Sequence, residues 1–139
     1  MVEQKDVFAN IKKEFSESDV RETYKFLKVL GGGHFGTVRL AAPKENLENK
    51  VAIKSILKSQ IAKDIKHLEE ELFILRNIDH PNIIAFHESF VDHRYVHIVM
   101  EACTGGELFD RIVKNQHFSE HYACALMKQM LSALKHLHE

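Results

Sequence analysis

At 139 residues and 16.1 kDa, with 45% hydrophobic and 28% charged positions, the chain is long enough for one modest core or one lobe of something larger. A formal net charge of −1 gives no electrostatic case for a nucleic-acid or anionic-membrane partner, and no run approaches the ~18 apolar residues of a membrane span. Cys103 and Cys124 stand 21 residues apart with no C-x-x-C, which fits a reducing, cytoplasmic setting.

Residues 1–22 read as an N-terminal extension. Val7, Phe8, Ile11 and Phe15 have the spacing of a short amphipathic helix, and Ser16 to Asp19 then break it as a linker. No apolar signal region opens the chain, and Val2 stands where myristoylation needs glycine. The first two strands are expected at about 23–31 and 36–42, with a polar loop from Pro43 to Asn49 and a third strand at about 50–57. Ile61, Ile65, Leu68, Leu72, Leu75 and Ile78 recur at helical steps and predict one main helix, which ends before Pro81. Strands follow at about 83–90 and 95–100, with extended chain to Cys103. Thr104-Gly105-Gly106 breaks the pattern, a short helix covers about 107–114, and Ser119 caps a last helix. Ala123, Leu126, Met127, Met130, Leu131, Leu134 and Leu137 form its apolar stripe.

Gly31, Gly33 and Gly36 fall on G-x-G-x-x-G, with Val38 two residues on. Glycine lets the backbone turn at positive φ and bring its N–H groups close to a phosphate. A dinucleotide-binding fold needs a helix after such glycines, whereas Thr37 to Ala41 alternate as a strand. A P-loop is excluded because no Gly-Lys-Ser/Thr follows. Val51-Ala52-Ile53-Lys54 places a lysine inside an apolar strand, where an ammonium needs an anionic partner.

Together, the glycine turn and V-A-I-K resemble the protein kinase family, and the resemblance runs from about Tyr24 to the end of the chain. It implies an α+β fold: a kinase-like N-lobe with hinge over residues 23–103, built of a five-stranded antiparallel sheet and one main helix. Residues 104–139 would be the first two helices of an incomplete C-lobe. By the same resemblance Gly31, Gly32, Gly33, His34, Phe35 and Gly36 cover the phosphates of ATP. Lys54 holds the α- and β-phosphates, and Glu71 orients Lys54 from the main helix. Leu30, Val38 and Ala52 line the adenine pocket, with Met100 at its back. The Glu101 carbonyl and the Cys103 N–H read the base, and Glu107 contacts ribose or a basic substrate residue. Ile78 to Ile83 and Gly105 to Ile112 look like the calcium/calmodulin-regulated branch of the Ser/Thr kinases, most of all calcium-dependent protein kinases. The implied partners are ATP, with Mg²⁺ in the complete enzyme, and a protein substrate.

Ten histidines invite a metal reading, but the pairs His93/His97, His117/His121 and His136/His138 gather no cysteine, and surface or capping roles are expected. Neither H-R-D-x-x-x-x-N nor D-F-G occurs, so no catalytic base and no magnesium ligand is expected in these residues. No EF-hand loop is present either. The expectation is a kinase fragment inactive alone, whose last helix drives self-association. The alternative is a non-catalytic kinase-like binding module.

Overall fold

The computed structural model describes residues 16, 18–33, 36–61, 65–115 and 117–138. The expected helix over the first fifteen residues lies outside them. The chain divides into two compact units, one of Met1–Asn77 and Phe86–Ala102, the other of Ile78–Ala85 and Cys103–Glu139.

The first unit opens with a one-turn helix, α1 (Val20–Thr23), capped by the Asp19 carboxylate, which accepts from the Arg21 N–H at 2.8 Å. Then come β1 (Tyr24–Gly33), β2 (Gly36–Pro43) and β3 (Val51–Leu57). A one-turn α2 (Lys58–Ile61) follows β3, α3 (Ile65–Asn77) falls within the main helix that the periodicity predicts from Ile61, and β4 (Phe86–Val91) and β5 (Tyr95–Glu101) complete the unit. The fourth strand begins three residues later than the run Ile83-Ile84-Ala85 suggests, because Ile83 instead closes a turn by donating to the His80 carbonyl at 3.1 Å.

All five strands are antiparallel neighbours in the order β1-β2-β3-β5-β4. Side chains alternate across a pleated strand, so the register sorts residues onto two faces. One face carries Ala52, Ile56, Val96 and Ile98, and α3 packs on it through Leu68 and Leu72, both buried. The other face carries Ala41, Val51, Ile53 and Val99, which join Val20, Tyr24 and Phe90 in a second cluster.

That second cluster corrects the linker expectation for the residues just before the sheet. Ser16 forms a parallel bridge to Phe90, donating to Ser89 O and accepting from Val91 N, each at 3.1 Å. Val20 is 1% exposed, and the Tyr24 hydroxyl donates to Glu88 Oε1 at 2.5 Å. An apolar sheet face left bare would cost burial energy, and this segment covers it.

The second unit holds α4 (Leu108–Asn115) and α5 (Glu120–His138). Ser119 caps α5 as expected, its Oγ accepting from the Tyr122 N–H at 3.2 Å. One side of α5 meets the 78–85 segment through polar contacts: Ser132 with His80 at 3.0 Å, Gln129 with Asn82 at 3.4 Å, and His136 stacked on His80 at 5.1 Å. The opposite side is the apolar stripe, with Met127, Met130, Leu131, Leu134 and Leu137 all exposed. Among the described residues no helix is long and apolar enough to cross a membrane.

Candidate functional site

The glycine turn is a tight hairpin. Gly33 pairs with Gly36 across it, and His34 and Phe35 lie outside the described residues. Gly36 has φ +128°, a conformation that L side chains rarely adopt. A Cβ added there would sit 2.2 Å from the Ser55 carbonyl oxygen. Gly31, Gly32 and Gly33 are different. Each has open space within 4 Å of an added Cβ. Gly36 is thus demanded by the fold, whereas the other three leave a bare backbone edge that a ligand can approach.

Lys54 lies at the centre of a cross-strand row, between Val38 on β2 and Ile98 on β5. The next row on the same face is Leu40, Ala52 and Met100. The register therefore sets the expected apolar residues Val38, Ala52 and Met100 beside the lysine. Leu30 falls at an irregularity of β1, between Val29 and Gly31, and is 38% exposed. Glu101 ends β5 and is exposed.

Lys54 and Glu71 border one cavity of about 370 Å³, with Ile56, Ile61, His67 and Leu68 also in its wall. Lys54 reaches it from β3 and Glu71 from α3. The Glu71 side chain is exposed rather than packed, and the carboxylate and the ammonium are not within the 4.0 Å of an ion pair. Cys103 and Glu107 belong to the second unit; both are exposed, and the Glu107 carbonyl accepts from the Arg111 N–H at 3.3 Å at the start of α4.

Sequence reasoning missed a polar network on the sheet face opposite Lys54. His97, expected at the surface or on a cap, is 5% exposed. Its Nε2 lies 2.9 Å from Asp92 Oδ2, and its Nδ1 lies 2.8 Å from Ser55 Oγ. A carboxylate only accepts, so Nε2 carries the proton toward Asp92 and, in the neutral ring, the Ser55 hydroxyl donates to Nδ1. Asp92 Oδ1 also accepts from the N–H groups of Arg94 and Tyr95, each at 2.7 Å. Burial works to raise the Asp92 pKa, but the hydrogen bonds from His97, Tyr95 and Arg94 hold it below the usual carboxylate value. The available signal was the alternation of β5, which puts His97 on the same face as Val99. Among the described residues, no three His, Cys, Asp or Glu side chains are grouped to hold a metal ion.

The protein kinase domain model matches residues 24–139. The chain is 40% identical over 120 residues to calcium/calmodulin-dependent protein kinase type 1 of Macrobrachium nipponense, covering 86% of this chain and 35% of that protein. It is 42% identical over 124 residues to calcium-dependent protein kinase 5 of Plasmodium berghei (strain Anka), covering 88% and 22%. It is 43% identical over 122 residues to myosin light chain kinase A of Dictyostelium discoideum, covering 87% and 41%. The chain therefore spans between about a fifth and two fifths of the length of these relatives.

Proposed function

The chain belongs to the protein kinase family, and on that premise we propose that it forms the nucleotide-binding part of an ATP-dependent Ser/Thr protein kinase of the calcium-regulated group. The observation that carries this reading is the placing of Lys54 and Glu71 on one cavity, on the sheet face where Val38, Ala52 and Met100 also lie.

The residues present fit ATP. The open space beside Gly31, Gly32 and Gly33 lets phosphate oxygens come close to the backbone of the turn. The Lys54 ammonium supplies the positive charge for the α- and β-phosphates, and its half-buried setting strengthens that attraction. Glu71 acts as the positioning residue for Lys54, a role that requires the carboxylate to close on the ammonium. Leu30, Val38, Ala52 and Met100 offer apolar contact to a base and the Glu101 carbonyl offers it a hydrogen bond, while the Cys103 N–H and Glu107 are assigned to base and ribose by the family resemblance alone. ATP bound with Mg²⁺ supplies the transferable phosphoryl group. No residue here matches the family's catalytic Asp or its magnesium ligands, so these 139 residues bind nucleotide without transferring phosphate. Calcium control and a cytoplasmic location follow the same reading, as does the protein substrate.

A fluorescent ATP analogue titrated into the chain tests it. Saturable binding is expected, weakened at least tenfold by Lys54→Met and less by Glu71→Gln, with no radiolabelled phosphate passed to a basic Ser/Thr peptide. Binding indifferent to Lys54→Met would overturn the nucleotide reading and leave a non-catalytic kinase-like module. Turnover by the chain alone would overturn the inactivity.

A further inference from the structure

The face of the sheet away from Lys54 has its own concavity. Thr37, Ser55 and His97 form a straight cross-strand row over β2, β3 and β5, directly above Lys54's row but on the opposite face. Arg39 lies on β2 two residues on from Thr37, hence on the same face. These four side chains, with Arg21 from α1, Phe26 from β1 and Tyr95 from β5, enclose a cavity of about 310 Å³.

Its charge is unusual for a sheet face. Two guanidiniums converge on it, and among the described residues neither has a carboxylate within 4.0 Å. Arg39 instead lies over the Phe26 ring, 5.8 Å from its centroid. The carboxylates nearby are committed elsewhere. Asp19 caps α1, and Asp92 accepts from His97 and from two backbone N–H groups. Two like charges that share a concavity repel, and each guanidinium carries five donors and no acceptor. An anion with several acceptor oxygens would relieve both deficits, and the paired oxygens of a phosphate match the guanidinium fork. Thr37 and Tyr95 add hydroxyl donors, the Ser55 hydroxyl being already committed as donor to His97 Nδ1, and the Phe26 ring adds an apolar wall for the carbon that bears the phosphate.

We propose that this cavity, formed by Arg21, Arg39, Thr37, Ser55, Tyr95 and His97, binds a phosphate monoester, at a site separate from the nucleotide site on the opposite face of the sheet. The ligand is either a free phosphate or one carried on a phosphorylated Ser/Thr segment, and the test separates the two.

Amide resonances of the full 139-residue chain, followed by two-dimensional NMR, provide the readout. Inorganic phosphate is titrated first, then a phosphoserine peptide and its unphosphorylated twin. Saturable shifts at Thr37, Arg39, Ser55 and His97 are expected. They should weaken at least tenfold in Arg39→Gln and in Arg21→Gln, and persist in Lys54→Met. Peptide binding tighter than inorganic phosphate identifies a phosphorylated segment as the ligand; equal affinity identifies the free anion. Arg21 is exposed, so its variant keeps the test decisive if Arg39→Gln lowers the melting temperature. The proposal fails if neither probe shifts these residues, if the shifts survive both arginine variants, or if they vanish with Lys54→Met.

Discussion

Gly36 and its neighbours show how one residue type serves two purposes within six positions. At Gly36 the φ of +128° and the Ser55 carbonyl 2.2 Å from an added Cβ act together, and the obstructing atom is backbone, which cannot rotate away. Gly36→Ala should therefore cost about 3 kcal/mol or more in urea unfolding, from strain at a disfavoured φ plus a shift of β3. Gly32→Ala, in an ordinary extended strand with open space, should change stability by under about 1 kcal/mol. Equal losses at both would show that the turn does not hold this conformation. Asp92 carries the second residue-scale prediction. Its folded pKa lies below the ordinary 3.8, so its stabilisation is complete above that value and is lost as pH falls through the folded pKa. Asp92→Asn should cost about 1–2 kcal/mol near neutral pH, because three donors lose a charged acceptor. The gap between the two proteins should narrow below about pH 4, and a gap independent of pH would sink the assignment.

Periodicity made most of the elements legible. Leu68 and Leu72 are buried where a 3.6-residue repeat places them, and the alternation in β3 and β5 gave strands within a residue or two of those observed. The strands on either side of the glycine turn and the strand that carries Lys54 were legible from their alternation, whereas the roles of these residues came from the family resemblance. Features that depend on a distant partner were not. Ser16 and Val20 read as linker because nothing local says that Phe90 and Ile53 need cover. His97 read as a surface histidine because its partners, Ser55 and Asp92, come from another strand and a turn. Glu71 was placed by resemblance, and the helix periodicity that buries Leu72 leaves the residue before it exposed. The same reasoning yields a prediction for α1, which lies outside the matched family residues 24–139 yet inside the core. Val20→Ala should cost about 1–3 kcal/mol, and Glu22→Ala, exposed, under about 0.5 kcal/mol. Equal small effects would mean that the segment is dispensable to the fold.

At the scale of the whole molecule, the two units differ in how they satisfy their apolar surface. The sheet unit covers both of its faces, α3 on one and the 16–24 segment on the other. Among the described residues, nothing gives α5 such cover in the second unit. Its contacts with the 78–85 segment are polar, and the stripe from Met127 to Leu137 stays exposed. Each such side chain gains roughly 1.5–3 kcal/mol on full burial, so several aligned on one helix favour a partner surface of the same character. We infer that the partner available to the purified chain is a second copy, joined stripe to stripe. A sedimentation-velocity series should then show a mass above 16.1 kDa that grows with concentration. Leu131→Glu with Leu134→Glu should return the chain to monomer, because two carboxylates facing their own copies across the stripe repel and resist burial. The same substitutions should leave the unfolding transition of the sheet unit unchanged, since neither residue belongs to its two core clusters. A wild-type chain that stays monomeric across the series would show that the exposed stripe alone does not drive association.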